Sequence, residues 1–166
     1  MASVVDLARQ AAAAVQAIHA PSSTSAQREE AYNTCKLLLE HQAAFDVGLQ
    51  LAGASETDAM VKHFGLQLAH AALKRTWKLM SGVDKESTKA AILRLMQSGL
   101  GSAQGMPSFL RWKLAKVICE IAQQDWPEGW PDLAPLLFER GIESAESTVF
   151  SLFILSELAD SVHDDA

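Results

Sequence analysis

From Ser3 to His19, the apolar residues Val4, Leu7, Ala11, Ala14, Val15 and Ile18 recur three or four positions apart between polar ones. That spacing predicts an amphipathic helix. Pro21 to Ser25 breaks the pattern, with Thr24 or Ser25 placed to cap a second helix. There Ala31, Cys35, Leu38 and Leu39 carry the apolar period to about Ala44. Two helices with a short turn make an αα-hairpin, a pair near 3–44. AFDVGLQLAGAS reads as a linker, after which Ser55 and Asp58 have the spacing of a capping box. The helix it opens, to about Met80, shows two apolar arcs: Val61, Phe64, Leu68 and Ala72 on one, Leu66, Leu73, Trp77 and Met80 on the other. His63, Gln67, His70, Lys74 and Lys78 form the narrow polar stripe left over. A helix apolar on two sides is expected between neighbours in a stacked array.

Ser81 and Asp84 flag the next N-terminus, and a helix to about Ser98 is expected to turn Ala91 and Leu95 inward, with Ile92 and Leu93 near them. Lys85, Lys89 and Arg94 are expected to stay polar, which completes a pair near 55–98. GLGSAQGMPS is a loop by composition. Ser108 to Asp125 then forms a helix with Leu114, Val117, Ile118 and Ile121 on one face, and it runs into WPEGWPD. Pro127 blocks continuation, whereas Pro131 suits the start of a new helix. Trp126 and Trp130 supply apolar area at this corner, read as architecture and not as a ligand site. A short partner from Asp132 to about Ile142 closes a pair near 108–142. The last helix, near 144–163, carries Val149, Phe150, Phe153, Ile154, Leu158 and Val162 with nothing after it to pair with. The order predicts an all-α protein, an α-solenoid of HEAT-type antiparallel helix pairs, about three and a half repeats in one array over 1–166. A plain helical bundle is the rival. The unpaired last helix favours an array cut from a longer chain.

Charge changes the picture more than composition does. Residues 1–59 carry three basic and seven acidic side chains, 60–119 carry ten and two, and 120–166 carry one and eleven, for a net charge of −6. A basic middle and an acidic end point to different partners, or different parts of one partner. The net acidity weighs against a dedicated nucleic-acid-binding domain, so direct RNA binding through 60–119 ranks low. Cys35 and Cys119 sit within apolar-periodic helices and read as buried thiols in a reducing compartment. Asp6 and Arg9 interrupt the N-terminal apolar run, no basic region precedes it, and no stretch is apolar for long enough to cross a membrane.

Catalytic and metal chemistry find little support. His63 and His70 share a stripe without a third ligand, and Cys35 and His41 face different ways on one helix. Phosphate-cradling glycine motifs and a nucleophile elbow are absent. No catalytic residue, metal or cofactor is expected, which leaves a binding surface. In a solenoid the second helix of each pair lines the concave side. On the pairing above, Lys36 and Glu40 belong to one such helix and Lys85, Lys89 and Gln97 to the next, with Glu139 and Glu143 near the third.

Two stretches also resemble a known family. VKHFGLQLAHAALKRTWKLM, with His63, Phe64, Gly65, Leu66, Gln67 and Trp77, and KLAKVICEIAQQDWPEGWPDL, with Trp126, Pro127, Trp130 and Pro131, resemble the N-terminal repeats of karyopherin-β nuclear transport receptors of the exportin group. The exportin-5-like (HASTY-like) branch is the most similar, an exportin-1-like protein exporter the alternative. STVFSLFILSELADSV is similar to the opening helix of a following repeat. The resemblance implies a superhelix of HEAT repeats without enzymatic activity, whose N-terminal part contacts Ran in its GTP-bound form. It implies shuttling between nucleus and cytoplasm, with cargo, structured RNA such as small-RNA precursors and tRNA, or protein, bound through the longer receptor and nucleoporins among the candidate partners. Carried onto this chain, the Ran contacts fall to Lys36, Glu40, Lys85, Lys89 and Gln97. Without the resemblance, the residues alone support a HEAT scaffold for a non-transport protein partner.

Overall fold

The computed structural model describes residues 2–55, 57–100 and 105–164. It is all-α, in two compact units, Met1–Met80 and Ser81–Ala166. In the first unit α1 spans Val4–His19, α2 Ser25–Glu40, α3 Ala44–Gly53 and α4 Ala59–Thr76. The second holds α5 at Gly82–Leu100, α6 at Ser108–Asp125, α7 at Leu133–Gly141 and α8 at Ala145–Asp164. Local chemistry sets several of these starts. Ser3 with Asp6 and Thr24 with Gln27 form capping boxes that satisfy the first orphan amides of α1 and α2. Ser81 Oγ accepts from the Asp84 amide at the head of α5. At α4 the cap is Asp58 itself, which accepts from the Met60 amide at 2.7 Å; the capping box expected from Ser55 does not open this helix.

The stretch AFDVGLQLAGAS is no linker. It folds as α3, which buries Ala44, Val47, Gly48 and Leu51, an i, i+3, i+4, i+7 face. Its glycines lower helix propensity, but packing overrides that cost. A Cβ at Gly48 would stand 2.5 Å from the Gly65 carbonyl oxygen, and one at Gly65 would stand 2.8 Å from that of Gly48. The backbones of α3 and α4 therefore meet where both side chains are hydrogen atoms. α3 is the main partner of α4, while α1 lies on α2 and α3. Leu7, Ala11, Val15, Leu38, Val47, Leu68 and their neighbours close one core. As the two arcs require, Val61, Leu68 and Ala72 are buried on α4, and so are Leu66, Leu73 and Trp77.

One added helix moves every pairing after the first. Among the described residues the pairs are α1 with α2, α3 with α4, α5 with α6 and α7 with α8. The expected pairs near 55–98 and 108–142 each joined the second helix of one pair to the first of the next. The helix near 144–163 is not unpaired either, since α8 packs on both α7 and α6. Helices stacked on their chain neighbours in this way are consistent with an all-α, HEAT-like solenoid.

Two inward faces also differ in part from expectation. On α5 it is Thr88, Lys89, Ile92 and Met96 that are buried, with Ala91 and Leu95 half-buried. On α8 the buried residues are Ser147, Phe150, Ser151, Ile154 and Leu158, and Val149 is exposed. Small serines let α8 come close to its partners, and Thr148 Oγ1 donates to the Gly141 carbonyl at 2.5 Å. Val162 lies outside the described side chains. Gly48→Ala is expected to lower stability by about 1–3 kcal/mol, the usual range for overpacking. Urea denaturation followed by circular dichroism checks this, and an unchanged midpoint would contradict the close crossing.

Candidate functional site

In the first unit the second helices of the pairs, α2 and α4, pack side by side. Arg75, in the last turn of α4, donates from Nη1 to the Leu39 carbonyl at 2.6 Å, satisfying an orphan acceptor at the end of α2. A groove of about 360 Å³ opens here, floored by Val15, Leu39 and Phe64 and rimmed by Tyr32, Lys36 and Met60. Ile18, His19, Cys35, His63 and Gln67 complete it. Lys36 and Glu40 are both exposed on α2.

The HFGLQ stretch of α4 thus divides its work by face. His63 and Gln67 reach the groove, Phe64 supports its floor, Gly65 admits α3, and Leu66 is buried. Trp77 is buried in the 3-10 turn that ends this helix.

Lys85, Lys89 and Gln97 stand differently. They lie on α5, the first helix of its pair, so the rule that selected them does not apply to them. Lys89 is not a surface residue at all, since its side chain keeps only 4% of its exposure. Its ammonium donates to Asp125 Oδ2 at 2.6 Å, Glu86 Oε1 at 2.8 Å and the Gly129 carbonyl at 2.5 Å. It also sits 5.8 Å from the centre of the Trp130 ring, within cation–π range. Lys85 Nζ lies 3.6 Å from the other Asp125 oxygen, and Gln97 is exposed. Lysine spacing on a polar stripe gave no sign of this, because the anion and the carbonyl that hold Lys89 come from residues 36 and 40 positions later.

The Trp-Pro corner is the other half of that contact. Its Trp126–Pro127 peptide is cis, Trp130 is buried and Trp126 half-buried, and Pro127 and Pro131 are exposed. The Gly129 amide donates to the Asp125 carbonyl at 2.6 Å, and a Cβ on Gly129 would come within 2.6 Å of the Asp125 carboxylate. DWPEGW therefore wraps a carboxylate and a carbonyl around one buried ammonium.

Electrostatics support a structural role. Burial alone would lower the Lys89 pKa, but the hydrogen bonds and charges of Asp125 and Glu86 outweigh it and raise it above the ordinary lysine value. Burial, with the Glu157 charge adding to it, pushes the Cys119 thiol up to about 12, and burial also raises Cys35. Neither thiol is poised as a nucleophile. Among the described residues no group of three or more His, Cys, Asp or Glu is placed to hold a metal, and no helix is long and apolar enough to cross a membrane.

No family model matches the chain. It is similar to exportin-5 of Homo sapiens, 29% identical over 157 residues, covering 94% of this chain and 13% of that protein. Against exportin-5 of Mus musculus the identity is 30% over 148 residues, 87% of this chain and 12% of the relative. Protein MSN5 of Saccharomyces cerevisiae is 27% identical over 174 residues, 93% of this chain and 14% of the relative. The chain thus spans about an eighth of the length of the curated relatives it matches.

Lys89→Met takes from the Asp125 carboxylate its nearest cation, leaving Lys85 at 3.6 Å, and is expected to lower stability by about 3 kcal/mol, and Lys89→Met with Asp125→Leu should recover part of that loss. Because folding raises the Lys89 pKa, its contribution is complete below the ordinary lysine value and disappears as pH climbs through the raised one. Urea midpoints should therefore fall in strongly alkaline buffer for the parent chain, and fall less for the double variant. Equal pH dependence in both would contradict the ion pair.

Proposed function

Taking the chain as an exportin-5-like karyopherin segment, we propose that it is the N-terminal, Ran-GTP-binding part of a nuclear export receptor, which serves in transport and carries no enzymatic activity. What carries this reading is the similarity to exportin-5 over 94% of the chain, together with an all-α arrangement of neighbouring helix pairs. A receptor segment of this kind works by presenting polar side chains from the second helices of its pairs. In this chain those helices include α2 and α4, and Lys36 and Glu40 are exposed on α2. They are the favoured Ran contacts among the five expected. Gln97 keeps an exposed side chain on α5, while Lys85 and Lys89 are engaged with Asp125.

The longer receptor would shuttle between nucleus and cytoplasm, and cargo, structured RNA or protein, would be held by parts of it beyond this segment. A HEAT scaffold for a non-transport protein is the second reading; the named relatives weigh against it.

Binding is measured to Ran loaded with a non-hydrolysable GTP analogue and to Ran loaded with GDP. The GTP form should bind, the GDP form far more weakly, and Lys36→Glu with Glu40→Lys should weaken the GTP form about tenfold or more without changing thermal unfolding. Equal or absent binding of the two forms overturns the reading for this segment.

A further inference from the structure

The groove between α1, α2 and α4 has an apolar floor and opens to solvent at its rim. At about 360 Å³ it lies at the low end of the roughly 300–1,000 Å³ of small-molecule pockets. Two or three bulky side chains would fill it. Its floor is apolar, yet two large apolar side chains at its rim remain open to water: Tyr32 is 59% exposed and Met60 39%. Rims of this kind, an aromatic and a methionine around a hollow, suit an inserted anchor side chain.

Charge selects the rest of the occupant. Among the described lining residues the one formal charge is the Lys36 ammonium, and no carboxylate lines the groove. An adjoining hollow of about 320 Å³ shares Val15, His19 and Met60 and runs toward Asp58. That carboxylate is engaged at the N-terminus of α4, where it accepts from the Met60 amide. The trough therefore has a direction, with a cation at one end and an anion, already bonded, at the other. An acidic group beside an apolar anchor is favoured at the Lys36 end and disfavoured at the Asp58 end.

We infer that this groove receives a short acidic peptide segment of a protein partner, one whose bulky apolar side chains enter between Tyr32 and Met60 while its carboxylate pairs with Lys36. The site goes beyond the Ran reading and shares only Lys36 with it.

The test uses the full chain and no GTPase, so its failure leaves the Ran reading standing. Fluorescein-labelled short peptides are prepared in which Leu and Phe alternate with Glu, with Lys, or with Ser, and a fourth carries Ala in place of Leu and Phe. Anisotropy should show the Glu peptide binding about tenfold more tightly than the Lys peptide, with the Ala peptide not binding. Lys36→Glu should abolish the preference for Glu over Lys, and Met60→Lys should weaken all apolar peptides, both with unchanged thermal unfolding. Methionine-methyl NMR places the contact, since the Met60 signal should shift while that of buried Met96 stays. Equal binding of the Glu, Lys and Ser peptides, binding unaffected by both substitutions, a shift confined to methionines other than Met60, or no binding of the Glu peptide each overturns the inference.

Discussion

A single ammonium organises the second unit. Lys89 is withdrawn from water at the middle of α5 and held by Asp125, Glu86 and the Gly129 carbonyl, with the Trp130 ring beside it. Moving a charge out of water is costly, and it is tolerated only where several partners replace the lost hydration. The loop after α6 is shaped to supply them. Asp125 ends the helix, Gly129 turns close enough to present its carbonyl, and Trp130 closes the site. A corner that looks aromatic is in physical terms a lysine receptor, with the Trp130 ring as one wall.

The first unit rests on a steric constraint of another kind. α3 and α4 cross with Gly48 and Gly65 at the contact, where any side chain would strike backbone. That close approach lets a ten-residue helix serve as the full partner of an eighteen-residue one. It also frees the other faces of α4, one for the core shared with α1 and α2 and one for the groove rim.

Helix periodicity made α1, α2, α4 and α6 readable, and the capping chemistry at Ser3, Thr24 and Ser81 follows from local spacing. α3 was not legible because its glycines mimic a linker, and what turns them into a helix is Gly65, far along the chain. Without α3 the pairing slips by one element, so α5 takes the place of a second helix and Lys85, Lys89 and Gln97 inherit a role that its position does not support. Lys89 shows the same limit from the electrostatic side. Stripe position suggests solvent, whereas burial depends on a carboxylate and a carbonyl at distant positions. Lys36 and Glu40 stay on the second helix of a pair because α1 and α2 precede the slip.

With this pairing the proposed contacts fall on α2, while the middle of α5 is engaged with Asp125. Hydrogen exchange of the chain with and without GTP-loaded Ran separates the two roles most directly. The account predicts new protection in peptides covering residues 36–40 of α2, with those covering 85–89 of α5 unchanged. Protection confined to α5, with α2 and α4 exchanging as in the free chain, would contradict it.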